Sequence, residues 1–291
     1  MVEKHFSYPH SEDSDIFREA LAYSEADTGF TAFLIEKDYY CSLILRTFFE
    51  SNTALVFKGG TCISKVYTDF YRLSEDMNFI IPVAVQASRK ERRTKIEPIK
   101  YMFEKSSTVI PGVSIAVPLS GHNESKQYIG YYNYQSLLID KQEKIKIEVG
   151  LREPLLNATE LKPVHTIALN PFNNRSLLSH FTVRAMSQKE MYAEKFRAAL
   201  SRREPAIRDF FDLFYAVHEK KLDFQDPDFV KSVKAKLSIP GNNTIDVSKE
   251  RKRKLFKQIG GQLKPVLRPV DFAEFELDIA FDLVYSMAQA L

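Results

Sequence analysis

Apolar positions recur at helical spacing over residues 12–50, and the second of two predicted helices, 31–50, carries Leu34, Cys41, Leu45 and Phe48 along one side. The pattern then changes. Residues 54–57 form a short apolar run of the kind that fills a buried strand, and beyond Gly59-Gly60 the spacing of Ile63, Val66 and Tyr67 predicts a helix over 61–70. Residues 76–83 alternate, with Met77, Phe79 and Ile81 on one face and Asp76, Asn78 and Ile80 on the other. A charged helix is predicted around 87–106, followed by strands near 113–119, 127–139 and 144–151. Pro154, Pro163 and Pro171, with Asn170, Asn173 and Asn174, mark a loop-rich stretch that ends the sheet region. Helices are predicted over 188–203, 205–221 and 271–291. The expected architecture is an α/β domain over residues 1–175 and an α-helical domain over 176–291.

Chemistry concentrates where strand meets turn. Gly59-Gly60 permits a sharp turn and close backbone approach to a ligand, and a helix opening there offers N–H groups and a positive dipole end to a phosphate, with Thr61 as a cap and Ser64 and Lys65 in the first turns. Asp76 and position 78 point the same way from the next strand and can share a hard cation such as Mg²⁺. Position 78 is Asn, whose neutral oxygen cannot bridge two cations, so full two-metal chemistry is disfavoured. Glu148 stands on another alternating strand, on the face of Lys144 and Lys146; a lone Glu there is usually a solvated face, and only the company of Asp76 raises it. On the late helices, Asp209 and Asp212 flank the stripe of Phe210, Leu213, Phe214 and Val217, and Lys195 and Arg202 share one side of the preceding helix. If the two helices form a hairpin, a cation and two carboxylates converge, either to serve phosphate oxygens or as a salt-bridged hairpin.

Composition narrows the classes. At 291 residues and 44% hydrophobic, the chain can bury a sizeable core, and no apolar run approaches the ~20 residues of a membrane span. Residues 1–5 lack a leader's apolar core, so a cytoplasmic protein is expected. Cys41 and Cys62 are too few for a disulfide framework or a zinc site and read as buried thiols. The net charge of +3 decides nothing alone, but residues 89–93 and 249–254 are basic runs that suit a phosphate backbone or a solvated helix face about equally. Tyr128, Tyr131, Tyr132 and Tyr134 read as packing rather than as a base-stacking platform. Glu36, Lys37 and Asp38 read as a polar flank with a local ion pair.

Six segments in order resemble the AbiEii-type nucleotidyltransferase toxins of abortive-infection and type IV toxin–antitoxin systems: Glu36-Lys37-Asp38-Tyr39-Tyr40, Phe57-Lys58-Gly59-Gly60-Thr61, Arg72-Leu73-Ser74-Glu75-Asp76, Ile147-Glu148-Val149-Gly150, Ala193-Glu194-Lys195-Phe196 and Arg208-Asp209-Phe210-Phe211-Asp212. The resemblance implies a DNA-polymerase-β-like nucleotidyltransferase fold with a helical C-terminal domain, NTP and Mg²⁺ binding, and a separately encoded antitoxin. It also implies transfer of a nucleotide to RNA, notably a tRNA 3′ end. By the same resemblance Lys58, Gly59, Gly60, Thr61, Ser64 and Lys195 would bind the nucleotide; Asp76, Asn78 and Glu148 would hold the metal; Asp209 or Asp212 supplies the late acid. Asn78 stands where the pattern has Asp, which admits a homologue with weakened metal binding or a replacement made to silence a toxic enzyme. Two rival functions follow: an NTP- or RNA-binding pseudoenzyme, and nucleotide transfer to protein.

Overall fold

Local caps decide where the first helices begin and end. The computed structural model describes residues 8–50 and 54–291, so the leader reading of residues 1–5 falls outside the described residues. After the short α1 (Pro9–Glu12), Asp13 Oδ1 accepts the N–H groups of Asp15 (3.1 Å) and Ile16 (3.0 Å) and opens α2 (Ser14–Thr28). Gly29, at φ 77°, closes it, and α3 (Ala32–Glu50) follows. Then come β1 (Val56–Lys58) and α4 (Gly59–Cys62), which widens into a π turn over Ile63–Tyr67. The predicted helix 61–70 thus starts earlier and stops at Tyr67, because Asp69 and Phe70 take φ of 51° and 62° and turn the chain away.

The sheet continues through β2 (Asp76–Ile80), then α5 (Arg89–Val109), β3 (Val113–His122), β4 (Gln127–Gln135), β5 (Gln142–Gly150), β6 (Glu160–Pro163) and β7 (Thr182–Ala185). Its seven strands run in the order β3-β4-β5-β2-β1-β7-β6. β2 is parallel to β5 and antiparallel to β1, and β1 is parallel to β7. The loop-rich stretch after Pro154 therefore does not end the sheet. It carries two further strands of four residues each, too short for alternation to betray them.

Helices make up the remainder: α6 (Gln188–Ser201), α7 (Ile207–His218), α8 (Pro227–Leu237), α9 (Lys249–Gln258), α10 (Pro269–Glu274) and α11 (Leu277–Ala290). The single helix predicted over 271–291 is two, since Phe275 and Glu276 adopt extended backbone. The chain divides into two compact units, one formed by the chain up to Pro154 with Glu160–Ala185, the other by Leu155–Thr159 with Met186–Leu291. In the second, the buried Glu190 accepts the N–H groups of Leu156 (3.0 Å) and Asn157 (3.0 Å) and pairs with Lys236 at 2.7 Å, which binds the short excursion 155–159 to the helices.

One expectation about α3 fails. Every residue from Leu34 to Phe48 is buried, Glu36, Lys37 and Asp38 included, so these charges are not a polar flank. Each has a distant partner instead. Glu36 accepts from Ser136 Oγ (2.6 Å) and the Leu137 N–H (2.7 Å), Lys37 meets Glu75 at 3.0 Å, and Asp38 binds the Lys65 ammonium at 2.7 Å. Lys65, fully buried, also donates to Ser42 Oγ at 2.7 Å. No helix among the described residues is long and apolar enough to cross a membrane.

Removing one member of a buried ion pair leaves the other charge without compensation. Lys65→Ala is therefore expected to lower the stability measured by urea unfolding by about 3–5 kcal/mol, and Lys65→Met combined with Asp38→Leu to recover most of it.

Candidate active site

β2 delivers its side chains by the alternation its sequence dictates. Met77 and Phe79 point into the core and are fully buried, while Asp76 and Asn78 lie half-buried on the opposite face. Register assembles the rest of that face. Asn78 pairs with Lys58 across β1 and with Glu148 across β5, and Asp76 pairs with Lys146. Lys58, Asp76, Asn78, Lys146 and Glu148 thus share one half-exposed surface of the first unit; Asp76 and Asn78 point the same way as alternation predicts, and strand pairing brings Glu148 beside them.

The glycine turn meets the same surface. Gly59 has φ 80°, and a Cβ on it would lie 3.2 Å from Asn78 Cβ; a Cβ on Gly60 would overlap the Arg72 guanidinium. The turn needs glycine partly because two side chains press on it. The Thr61 hydroxyl donates to the Asp76 carbonyl and so pins the start of β2 to the turn. No side chain caps α4. Thr61 and Ser64 are each 2% exposed, and Ser64 Oγ donates to the Arg72 carbonyl at 2.6 Å. Their hydroxyls hold the turn together through backbone carbonyls.

Glu148 is clamped. Its Oε2 meets Lys146 Nζ at 2.7 Å and its Oε1 accepts from Gln127 Nε2 at 2.7 Å. Burial pushes its carboxyl upward, but the Lys146 contact, the Gln127 donation and the Lys58 charge together hold it below the usual carboxylate range. Burial likewise pulls Lys146 down, and Glu148, Asp76 and Tyr131 outweigh that and raise it. Lys146 and Gln127 were missed as site residues, although the alternation that places Glu148 also places Lys146 beside it.

The donors fit one hard cation better than two. Asp76 and the Asn78 amide offer oxygen ligands from one strand face, and Mg²⁺ takes much of its shell from water and phosphate. With Asn at 78 no second strand carboxylate bridges, and Glu148 is engaged by Lys146. Among the described residues no group of three His, Cys, Asp or Glu side chains is placed to hold a metal.

The second unit holds its own ion cluster. Lys195 Nζ on α6 lies 2.8 Å from Asp209 and 2.7 Å from Asp212 on α7, and Arg202 reaches Asp209 at 3.0 Å. Burial would raise the Asp209 carboxyl, but Lys195 and then Arg202 hold it below its ordinary value. The hairpin expected from helical spacing forms, with Phe210 and Leu213 fully buried behind it.

Residues 43–284 match the model of the family described as Nucleotidyl transferase AbiEii toxin, Type IV TA system. Among curated proteins, none matches the sequence. Of solved structures, JHP933 from Helicobacter pylori is similar over 90% of this chain and 92% of its own, with 15% identity and a TM-score of 0.52, a likeness of fold. A second H. pylori chain, described as a candidate nucleotidyltransferase, covers 88% of this chain and 92% of its own at 16% identity and a TM-score of 0.48.

A carboxyl held below its ordinary pKa stabilises the fold above that value and loses the contribution as pH falls through the folded value. The stability difference between the parent and Glu148→Gln, measured by urea unfolding, is expected to be greatest near neutral pH and to shrink as pH falls below 4.5, the ordinary value. A difference that stays constant with pH would show that Glu148 gains nothing from Lys146.

Proposed function

Because the chain belongs to the AbiEii nucleotidyl transferase toxin family of type IV toxin–antitoxin systems, we propose that it moves a nucleotide from an NTP to an acceptor hydroxyl on the sheet face that holds Asp76, Asn78 and Glu148. The observation that carries this reading is the register that sets these residues beside Lys58 and the Gly59-Gly60 turn. The first unit then plays the part of a DNA-polymerase-β-like catalytic domain and the second that of the helical domain. The acceptor is the RNA, in particular the tRNA 3′ end, that the resemblance implies. A separately encoded antitoxin, a cytoplasmic setting and a role in phage defence belong to the same reading.

In this mechanism Lys58 and the backbone N–H groups of Gly59 and Gly60 receive triphosphate oxygens, and the uncapped turn keeps those donors directed at the ligand. Asp76 and the Asn78 oxygen would hold Mg²⁺, which supplies Lewis-acid polarisation of the phosphates. The acceptor hydroxyl attacks the α-phosphate in line, the bond to the bridging oxygen breaks, and pyrophosphate leaves. Glu148 must exchange its Lys146 contact before it can serve as the third metal ligand. Lys146 meanwhile places a fixed positive charge on the face where negative charge develops. The resemblance assigns Lys195 to the triphosphate, with Asp209 or Asp212 either orienting it or helping to take the acceptor's proton, and the ion cluster in the helical unit supports the orienting half of that assignment.

A second reading, an NTP- and RNA-binding protein with little turnover, draws on two observations: the amide at position 78 and the engagement of Glu148 by Lys146. Restoring a carboxylate separates the two. Asn78→Asp is expected to raise the Mg²⁺-dependent transfer of radiolabelled NTP into total RNA on the order of tenfold or more, since each ~1.4 kcal/mol of transition-state stabilisation is tenfold in rate. Asp76→Asn in the same background should abolish it. Nucleotide binding without label transfer by either the parent or Asn78→Asp would establish the second reading, and label in protein rather than RNA would move the acceptor.

A further inference from the structure

Helix α9 is the most basic segment of the chain. Between Lys249 and Gln258 it carries Lys249, Arg251, Lys252, Arg253, Lys254 and Lys257 against the single acid Glu250. Its buried side is fully explained. Leu255 and Arg251 are buried, Arg251 donates to the Ala199 and Arg202 carbonyls at 2.7 and 3.0 Å, and Gln258 bonds the backbone of Pro205 and Ile207 at 2.8 and 2.9 Å. These contacts fix the rotation of the helix. The opposite face therefore presents Lys249, Lys252, Arg253 and Phe256, at i, i+3, i+4 and i+7.

That face is more than a charge run. Phe256 is 69% exposed among the cations, and with Ile259 and Leu277 it forms the apolar part of an open groove of about 510 Å³ within the helical unit. Lys252 is committed there, meeting Asp278 at 2.5 Å and lying 5.2 Å from the centre of the Phe281 ring. The acid of the groove is thus neutralised in place. Arg253 and Lys254 have only exposed partners at 3.7 Å, Glu250 and Glu204, and such contacts yield readily to a stronger anion. An exposed aromatic ring of this kind among cations offers a base a stacking face and its phosphates a counter-charge. A basic groove on α5 is lined by Arg89, Lys90, Arg93, Thr94 and Glu97 with no ring in its lining, and the exposed Tyr101 lies a turn beyond it.

We propose that the Lys249, Arg253 and Phe256 face of α9 docks single-stranded nucleic acid, with Phe256 stacking on a base while Lys249 and Arg253 receive the flanking phosphates. The proposal rests on the nucleotidyl-transfer reading for the bound strand's role as acceptor. An acidic peptide would use the cations and leave the ring idle.

The test is fluorescence anisotropy with labelled oligonucleotides of equal length, single-stranded RNA and DNA in parallel, titrated with the full chain over a range of salt. Lys249→Glu, Arg253→Glu and Phe256→Ala are compared with the parent, and far-UV circular dichroism and thermal melting confirm that each is folded. Phe256→Ala is expected to weaken binding about five- to hundredfold, the scale of one lost base stack, with little change in salt slope. Each charge reversal should weaken binding and flatten the dependence of log K on log salt by about 0.7 or more, the slope of one phosphate contact on a single strand. RNA bound over DNA makes the strand the acceptor class of the transfer reading, and equal binding assigns the face to the phosphodiester backbone and stacking alone; both support the proposal. Folded variants that bind like the parent would overturn it, as would polyglutamate competing as well as the oligonucleotide. Label transfer measured on the same variants keeps the two ideas apart: transfer without α9-dependent binding removes this inference and leaves the reaction standing, and α9-dependent binding without transfer by Asn78→Asp does the reverse.

Discussion

Much of the first unit hangs on one buried ammonium. Lys65 sits in the π turn that follows the glycines, and it reaches Asp38 and Ser42 on α3 while its own carbonyl accepts the His165 N–H at 2.9 Å. An ammonium in so dry a place would be costly alone; with a carboxylate at 2.7 Å and a hydroxyl at 2.7 Å it becomes a fixed joint among three stretches distant in sequence. The glycine turn is rigid at its far end because of that joint, and at its near end because Thr61 holds the Asp76 carbonyl. Asp76, Asn78 and the turn are therefore positioned by groups that have no chemistry of their own to perform.

Electrostatics on the open face of the sheet follow from the same economy. With an amide at position 78, Lys58 and Lys146 balance Asp76 and Glu148 on this face, where a carboxylate would leave it net negative. Glu148, shared between Lys146 and Gln127, carries its charge within that balance.

Alternation was enough to place Asp76 and Asn78 on one face, and helical spacing to align Asp209 with Asp212, because those relations are set within single elements; the pairing of β2 with β5 that brings Glu148 beside them is visible only in the fold. What escaped is non-local or brief. The partners of Glu36 and Asp38 lie 27 to 101 positions away, and nothing in a short charged run reveals them. The hydroxyls of Thr61 and Ser64 turn inward to backbone carbonyls, a direction only the fold shows. β6 and β7 are four residues long, too short for alternation to show, and the break before α11 falls at Phe275 and Glu276, neither of which signals an end to a helix.

The sheet order carries a consequence for synthesis. β7 lies directly beside β1, so the middle of the sheet stays incomplete until residue 185 has left the ribosome, and residues 155–159 belong to a unit whose helices are made still later. Neither unit is a continuous piece of chain. Nascent β1 must wait with one edge of unpaired backbone groups, and pairings of such long range are slow to form. A chain truncated before Thr182 lacks β7 and leaves β1 as an open sheet edge, a template for pairing with another chain.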